Sequence, residues 1–328
     1  MKRILVIGGG SIGERHVRCF QKTERADVAL CDIRDNLRSE IVRRYDLSQA
    51  FSSLDEALPQ NFDAAVVCTP AHLHIPMAFS IARHDTALLI EKPLSISDAG
   101  IDELLMETSS RQLPVSVAYV LRHHPALQAL KRSVDSGKFG RPVQIVYFGG
   151  QHFPFYRPAY RDIYYTKHET GGGAIQDALT HVVNAAEWIV GPVTKLVADA
   201  DHLVLEAVDV EDTVHLITRH AALMGTFSLN QHQPPNESTL TVICEHGAVR
   251  CEAQRNRWLS CEQPDAEWTV EEEFVLERDD MFVNQANDFL DLLDDQTKPA
   301  CSLQEALQTL RVNMAALESA RTGCWINL

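Results

Sequence analysis

The sequence predicts an α/β protein in which a doubly wound parallel sheet is followed by an α+β domain with an open, largely antiparallel sheet. Strand-like and helix-like segments alternate along the first third of the chain, which is typical of a parallel sheet with helices on both faces. Further on, strands follow one another without intervening helices, which favours antiparallel pairing. The 328 residues suffice for two domains of about 150 residues each. We place them at residues 1–122 and 123–328.

In the first domain, short apolar runs of the buried-strand type predict five strands. They are RILVIG, DVALCD, AAVVCT, ALLIEK and PVSVAY. Helices are predicted at Ser11 to Thr23, Asp35 to Tyr45, Pro76 to His84 and Ser97 to Ser110, with a short turn at Leu54 to Leu58.

In the second domain, Pro125 suits the first turn of a helix that runs to Ser136. The predicted strands are VQIVYF, DTVHLITR, LMGTFSL, STLTVIC and AVRCE. The end of the chain is helical again. Ser302 and Glu305 form a capping-box pattern, and Gly323 is a stop signal. Apolar residues share one face of the preceding helix: Phe282, Ala286, Phe289, Leu290 and Leu293.

Composition excludes several classes of protein. The net charge of -15 disfavours nucleic acid and anionic membrane surfaces as partners. No apolar run approaches the roughly 20 residues of a membrane span. The run Ile4 to Ile7 is too short for a secretory signal, so we expect a cytoplasmic protein. The eight cysteines include no Cys-x-x-Cys pair, and the close histidine pairs lack further ligands. Neither disulfides nor a metal site is predicted.

The first glycine cluster has the spacing of a dinucleotide-binding loop. Gly8, Gly10 and Gly13 form a G-x-G-x-x-G pattern between a strand and a helix. Such glycines allow a tight turn, close approach of the backbone to a pyrophosphate, and close packing of helix on strand. The helix N-terminus, with Ser11 and Ile12, offers free N–H groups to the phosphates. The cluster predicts a Rossmann domain.

The end of the second strand indicates which dinucleotide is bound. Asp32 comes 19 residues after Gly13, where an acidic side chain binds the adenosine ribose. A carboxylate there repels a 2′-phosphate, which favours NAD over NADP. Arg34, two residues further on, softens that preference.

The second glycine cluster, Gly171 to Gly173, does not fit the same pattern, because the third glycine position is occupied by Gln176. These glycines suit a close approach of the backbone at the start of a helix. Asp177 and His181 then lie four residues apart on one face of that helix. The pair is either a surface contact or a histidine that a carboxylate orients for acid/base chemistry.

Lys92 is a second candidate for chemistry. It stands at the C-terminal end of an apolar strand, directly before Pro93, at the edge where doubly wound sheets bind ligands. A lysine there can hydrogen-bond a substrate hydroxyl and hold a developing alkoxide; the alternative is a lysine that emerges to solvent. Pro93 allows a special turn, including a cis peptide bond.

Residues 151–168 are a candidate substrate wall. The segment is rich in aromatic residues, which suit sugar rings, and in cationic residues, which suit phosphate or carboxylate. The residues concerned are Tyr156, Arg157, Arg161 and Lys167, together with Arg122. The alternative is an exposed loop with packed tyrosines.

These motifs together resemble the Gfo/Idh/MocA oxidoreductases over essentially the whole chain. They are Gly8-x-Gly10-x-x-Gly13, Glu91-Lys92-Pro93 and Gly171-Gly172-Gly173-Ala174-x-x-Asp177-x-x-x-His181. The resemblance implies a Rossmann domain and an α/β domain whose sheet packs over the active site and forms oligomers, here a homodimer or homotetramer. It places Lys92, Asp177 and His181 around the bound nicotinamide and Glu91 at the cofactor.

The resemblance also covers two shorter stretches. CTPAHLH resembles the family's cofactor-lining turn, with Thr69, Pro70 and His74 in matching places. AYVLRHHPAL and YRPAYRD resemble a branch that acts on sugars of cell-surface polysaccharide pathways, including nucleotide-linked sugars. Val120 and His123 depart from that branch's pattern.

The sequence therefore favours reversible hydride transfer between NAD and a secondary alcohol of a sugar, cyclitol or sugar derivative. His181, oriented by Asp177, is expected to take the hydroxyl proton while Lys92 polarises the oxygen, with the division between them left open. Two alternatives remain: a glycoside hydrolase that retains NAD, and a non-catalytic NAD-binding regulatory module.

Overall fold

A computed structural model describes residues 1–328 and contains two sheets. The first sheet has six strands in the order β3-β2-β1-β4-β5-β6, all paired in parallel. The strands are β1 (Lys2–Ile7), β2 (Ala26–Cys31), β3 (Ala50–Phe51), β4 (Ala64–Val67), β5 (Ala87–Ile90) and β6 (Val115–Val117). The predicted parallel sheet is confirmed. The short β3 carried no apolar run of its own and was not predicted.

Helices connect these strands as the alternating pattern predicted. They are α1 (Ser11–Lys22), α2 (Asp35–Tyr45), α3 (Leu54–Ala57), α4 (His74–Ala82) and α5 (Ile101–Ser110). The apolar runs of β1 and β4 are fully buried, and Val17 and Phe20 of α1 pack in the same core. Burial on both faces explains why these strands are continuous apolar runs rather than alternating ones.

The second sheet has nine strands in the order β14-β13-β12-β11-β7-β10-β9-β8-β15. The strands are β7 (Pro142–Gly150), β8 (Lys195–Asp201), β9 (Thr213–His220), β10 (Leu223–Asn230), β11 (Glu237–Cys244), β12 (Gly247–Glu252), β13 (Arg257–Cys261), β14 (Thr269–Glu273) and β15 (Ile326–Asn327). Only β7 and β10 pair in parallel. The predicted open, largely antiparallel sheet is confirmed.

One face of this sheet is covered by helices. These include α6 (Pro125–Asp135) and α8 (Thr180–Val190), and α8 is preceded by a π-helical turn at Ile175–Leu179. The short α7 (Phe153–Tyr156) packs in a separate cluster with Tyr160 and Tyr165. Short 3₁₀ turns occupy Pro158–Asp162, Tyr164–Thr166 and His168–Thr170. Along β9 buried and exposed residues alternate strictly, which is the pattern of a sheet with one covered face.

The last two helices, α9 (Asp280–Leu293) and α10 (Leu303–Thr322), determine how the chain divides. One compact unit comprises Met1–Val120 and Glu277–Leu307, and the other Leu121–Leu276 and Gln308–Leu328. This is not the predicted partition, because Glu277–Leu307 groups with the first unit.

Two contacts attach α9 to α1 within the first unit. The Phe20 and Phe289 rings pack edge to face, with their centroids 6.4 Å apart. The Arg18 guanidinium donates two hydrogen bonds to Asp279, at 2.6 and 2.8 Å. The apolar face predicted for α9 thus covers the first sheet's helix layer, and no local signal in the sequence indicates that partner.

The predicted signals at both ends of α10 are confirmed. The backbone N–H of Ser302 donates to Glu305 at 2.8 Å, and the backbone N–H of Glu305 donates to Ser302 Oγ at 3.3 Å. Gly323 ends the helix with a φ of 67°. No helix of the chain combines the length and apolar character needed to cross a membrane.

Candidate active site

The loop after β1 has the geometry that a dinucleotide requires. A Cβ on Gly13 would lie 1.7 Å from the Gly8 carbonyl oxygen, so helix and strand approach as closely as glycine allows. Gly10 caps α1 without any side-chain hydrogen bond, and a Cβ built on it would enter open space. The first N–H groups of α1 thus face an accessible cradle that fits a pyrophosphate.

Asp32, at the end of β2, is buried and carries four hydrogen bonds. Its carboxylate accepts from the Gly9 N–H at 2.6 Å and from Arg34 N, Nε and Nη2 at 2.8, 3.0 and 2.7 Å. Burial opposes ionisation, but the hydrogen bonds from Arg34 and Gly9 outweigh it and lower the pKa of Asp32. The predicted ribose ligand is therefore an ionised carboxylate that already pairs with a guanidinium.

This pairing predicts how Arg34 affects the choice of cofactor. Arg34 is largely exposed, with 58% of its side chain accessible, and it neutralises part of the charge that would repel a 2′-phosphate. Replacing Arg34 with alanine is expected to lower binding of NADP about tenfold relative to NAD. Cofactor titrations of both proteins, with Arg83→Ala as a control on α4's surface, would measure the ratio. An unchanged NADP to NAD ratio would remove Arg34 from cofactor selection.

Glu91 and Lys92 follow β5, and the Lys92–Pro93 peptide bond is cis. The Glu91 carboxylate accepts from His16 Nε2 of α1 at 2.8 Å and from the Lys92 N–H at 3.0 Å. Glu91 and His16 are 5% and 1% exposed. Glu91 therefore ties the backbone of Lys92 to the dinucleotide helix, which sequence reasoning did not identify.

The contact predicts a stability effect at His16. Replacing His16 with alanine removes one of the two donors to the buried Glu91 carboxylate and leaves its Oε1 without a replacement for that bond, which is expected to cost about 1–3 kcal/mol in the free energy of unfolding. His16→Gln keeps an N–H donor and should cost less. Urea unfolding of the three proteins measures this order, and equal losses for both variants would show that ring packing against Phe282 dominates.

His74 connects the predicted cofactor-lining turn to Pro93. Its Nε2 lies 2.7 Å from the Thr69 carbonyl oxygen and its Nδ1 lies 3.0 Å from the Pro93 carbonyl oxygen. Burial lowers the pKa of the ring, against the pull of these two oxygens. Thr69 is half-buried and Pro70 exposed, so the turn's outer surface belongs to these two residues and His74 lies beneath them.

The second unit holds Asp177, which is 3% exposed. Its Oδ1 accepts a hydrogen bond from the Tyr164 hydroxyl at 2.7 Å, and its Oδ2 accepts from Arg157 Nη1 at 3.2 Å. The Coulombic attraction of Asp177 is the main cause that raises the pKa of Arg157. The structure thus brings two residues of the predicted substrate wall onto a predicted catalytic carboxylate.

The helix that carries Asp177 differs from the regular one expected. Asp177 lies in the π-helical turn and the half-buried His181 lies in α8. The π turn has i→i+5 hydrogen bonds, so the stretch from Asp177 to His181 is wider than a regular α-helix. A π turn at this place left no signature in the apolar pattern.

The remaining predicted substrate residues lie in different surroundings. Arg161 Nη2 donates to the exposed Glu206 at 3.0 Å, and Tyr156 is half-exposed against Phe155. Arg122 is 3% exposed, and its Nε donates to Asn184 at 2.8 Å. A substrate contact of these residues stays a prediction.

Comparison with known families decides the classification. A family model described as an oxidoreductase family with an NAD-binding Rossmann fold matches residues 2–119. The GFO/IDH/MocA C-terminal domain matches residues 127–250. The two matches together span more than half of the chain. The chain belongs to the Gfo/Idh/MocA family. The predicted family and the predicted NAD-binding domain are confirmed.

Within the Gfo/Idh/MocA family, the chain is 26% identical over 230 residues to myo-inositol 2-dehydrogenase of Thermotoga maritima, covering 68% of this chain and 66% of that protein. It is 28% identical over 189 residues to inositol 2-dehydrogenase of Pseudomonas syringae pv. syringae, covering 56% and 53%. The chain thus spans between about half and two thirds of the length of these curated relatives.

Two solved structures of similar fold cover nearly the whole chain. Levoglucosan dehydrogenase in complex with NADH has a TM-score of 0.90 at 18% identity, covering 99% of this chain and 98% of that chain. The WlbA dehydrogenase from Bordetella pertussis, in complex with NADH and UDP-GlcNAcA, has a TM-score of 0.85 at 25% identity, covering 100% and 98%. Both have the same fold as this chain.

Proposed function

We propose that the protein is an NAD-dependent dehydrogenase that oxidises a secondary alcohol of a sugar, cyclitol or sugar derivative, reversibly. The observation that carries this proposal is the buried Asp177 carboxylate, held by Tyr164 and Arg157 just before the helix of His181. Buried carboxylates with specific charged partners cluster at functional sites, which favours an enzyme over a chain that only binds NAD for regulation.

The chain's own residues supply binding and proton handling. NAD, when bound by the Gly8–Gly13 loop and Asp32, supplies the acceptor for the hydride of the alcohol carbon. Lys92 donates a hydrogen bond from Nζ to the hydroxyl oxygen and stabilises the charge that develops there. His181 takes the hydroxyl proton at a ring nitrogen. Asp177 favours the protonated imidazole through its negative charge.

The charges of the second unit favour a neutral polyol as the substrate. Arg157 is paired with Asp177, and Arg122 is buried against Asn184. An anionic nucleotide sugar is the second candidate, because the ion pair of Arg161 with Glu206 is solvent-exposed on both sides. Such an exposed pair is weak and is easily exchanged for a ligand phosphate or carboxylate.

NADH formation by the purified protein across inositols, free sugars, sugar acids and nucleotide sugars tests this function. An increase in NADH absorbance with inositols or neutral sugars supports the first candidate. An increase only with anionic sugars supports the second. If NAD binds and a glycoside is hydrolysed without net NADH, the protein is instead a hydrolase that retains its cofactor. Absence of both activities contradicts the proposal for these substrate classes.

We also propose a homodimer or homotetramer formed through the open face of the nine-stranded sheet. Three apolar side chains of neighbouring strands are exposed there: Phe148, Ile217 and Met224, at 45%, 41% and 45%. Contact with a second copy of the chain would bury these apolar side chains and explain their exposure in a single chain. Light scattering during size-exclusion chromatography measures the mass, and a monomer at micromolar concentration would contradict the proposal.

A further inference from the structure

Glu211, two residues before β9, lies at the start of the π turn that carries Asp177. Its carboxylate Oε1 accepts from the Ile175 N–H at 2.8 Å, and its backbone carbonyl accepts from the Ala174 N–H at 2.9 Å. The first N–H groups of a helix have no acceptor within the helix. One residue from a distant part of the chain therefore supplies acceptors for two of them, and its side chain is 7% exposed.

The glycine cluster makes room for this carboxylate. A Cβ on Gly173 would lie 2.6 Å from Glu211 Oε1 and 2.7 Å from Oε2, and Gly173 has a φ of 93°. Both the conformation and the space exclude an ordinary side chain. The third glycine of the cluster is thus explained by a contact with Glu211.

Glu211 also reaches the loop that carries Tyr164. Its Oε2 lies 2.6 Å from His168 Nε2, and the hydrogen bond from Glu211 raises the pKa of His168. Gln176 reinforces the connection, because its Nε2 donates to the His168 carbonyl oxygen at 3.2 Å. The donor Tyr164 and the acceptor Asp177 therefore belong to two segments that Glu211 holds together.

We propose that Glu211 is a positioning residue, which fixes the π turn of Asp177 against the loop of Tyr164. It acts through the Ile175 N–H and the His168 ring. The proposal rests on the proposed function of Asp177, since a misplaced carboxylate matters for turnover only if that carboxylate takes part. A displacement of about 1 Å at a catalytic group lowers rates by up to about a hundredfold.

Three variants of the whole chain test the proposal. Glu211→Ala removes both side-chain contacts. Glu211→Gln keeps an oxygen for the Ile175 N–H, but it removes the charge and replaces the acceptor of His168 Nε2 with an amide NH2 group. Glu262→Gln is the matched control, because Glu262 belongs to the same unit and pairs with the cation of Lys138 but is exposed. Hydrogen exchange of the peptide covering residues 171–179 reports on the turn, and steady-state kinetics report on turnover.

We expect exchange in residues 171–179 to be about tenfold faster in Glu211→Ala, with partial rescue in Glu211→Gln and no change in the control. We expect kcat to fall about tenfold to a hundredfold in Glu211→Ala, with a smaller fall in Glu211→Gln and an unchanged KM for NAD. A purely structural role would instead lower the melting temperature and the amount of active protein, without a graded kcat in the folded fraction.

Two outcomes overturn the proposal: wild-type exchange in Glu211→Ala, or a kcat within twofold of wild type despite faster exchange. If the wild-type protein oxidises no alcohol, the proposed function fails on its own. The exchange comparison then decides alone whether Glu211 fixes the turn. Gly173→Ala provides a second route, because its exchange defect should be smaller in the Glu211→Ala background, where the clash with the carboxylate is gone.

Discussion

Replacing Lys92 with alanine is expected to lower kcat about a thousandfold while the affinity for NAD changes little. The side chain follows β5 of the parallel sheet, and its backbone N–H is held by the buried Glu91 carboxylate. A positioned group that polarises and exchanges protons with the reacting oxygen contributes about 10²–10⁴-fold. Steady-state kinetics on the substrate found by NADH formation, together with NAD titration by fluorescence, measure both quantities.

The matched control for this variant is Lys298→Ala, because Lys298 belongs to the same unit and is exposed. It should leave both kcat and NAD affinity unchanged. Full activity in Lys92→Ala would contradict its assignment to the reacting oxygen. Lost NAD affinity would move Lys92 to cofactor binding.

Comparing Lys92→Ala with His181→Asn shows which of the two residues takes the hydroxyl proton. If His181 takes the hydroxyl proton, its loss should remove the acidic limb from the pH dependence of kcat for alcohol oxidation. That limb should survive in Lys92→Ala. The reverse result would assign the proton to Lys92 and leave His181 with binding.

The first sheet could be predicted because both of its faces are buried. Residues 64–67 and 87–90 are continuous apolar runs, and their burial is complete in the structure. Glycine is required at position 13 because the backbone there lies against the Gly8 carbonyl, and both residues belong to the same short motif. Local patterns of this kind depend on neighbours in the sequence, so the sequence alone contains them.

Two of the strands that were not predicted, β14 and β15, lacked this signal for different reasons. Residues 269–273 of β14 are exposed throughout and rich in glutamate. They therefore form neither an apolar run nor an alternation of apolar and polar residues. The two residues of β15 are too few to show any period. Strand pairing at the sheet edge places these segments, and that pairing is not visible in their own composition.

The candidate site was predictable in its residue types but not in its contacts. Asp177, His181 and Lys92 come from short motifs, whereas the partners of Asp177 and Glu91 are distant in the sequence or separated by irregular turns. Tyr164 approaches Asp177 across two 3₁₀ turns, and His16 approaches Glu91 across 75 residues. Arg157 was expected to bind an anionic substrate because the sequence shows its positive charge but not the Asp177 carboxylate that lies beside it in the fold.

The contacts of Asp177 predict two losses of different size. Asp177→Asn keeps the shape and an oxygen for the Tyr164 hydroxyl, but it removes the negative charge beside Arg157. We expect kcat to fall about 10²–10³-fold, because the charge that favours a protonated His181 is gone. Tyr164→Phe leaves the charge and removes one hydrogen bond to it, which contributes about 1.5–3 kcal/mol and corresponds to a loss of roughly tenfold or more.

Tyr45→Phe is the matched control, since the Tyr45 hydroxyl also donates to a carboxylate, that of Glu14 at 2.9 Å, but belongs to α2 of the first unit. It should retain wild-type kcat. If Tyr164→Phe fell as far as Asp177→Asn, Tyr164 would itself exchange a proton with the substrate rather than hold the carboxylate. If neither variant lost kcat while both lost thermal stability, the cluster of Asp177, Tyr164 and Arg157 would be structural. The acid/base chemistry would then belong to residues that do not depend on it.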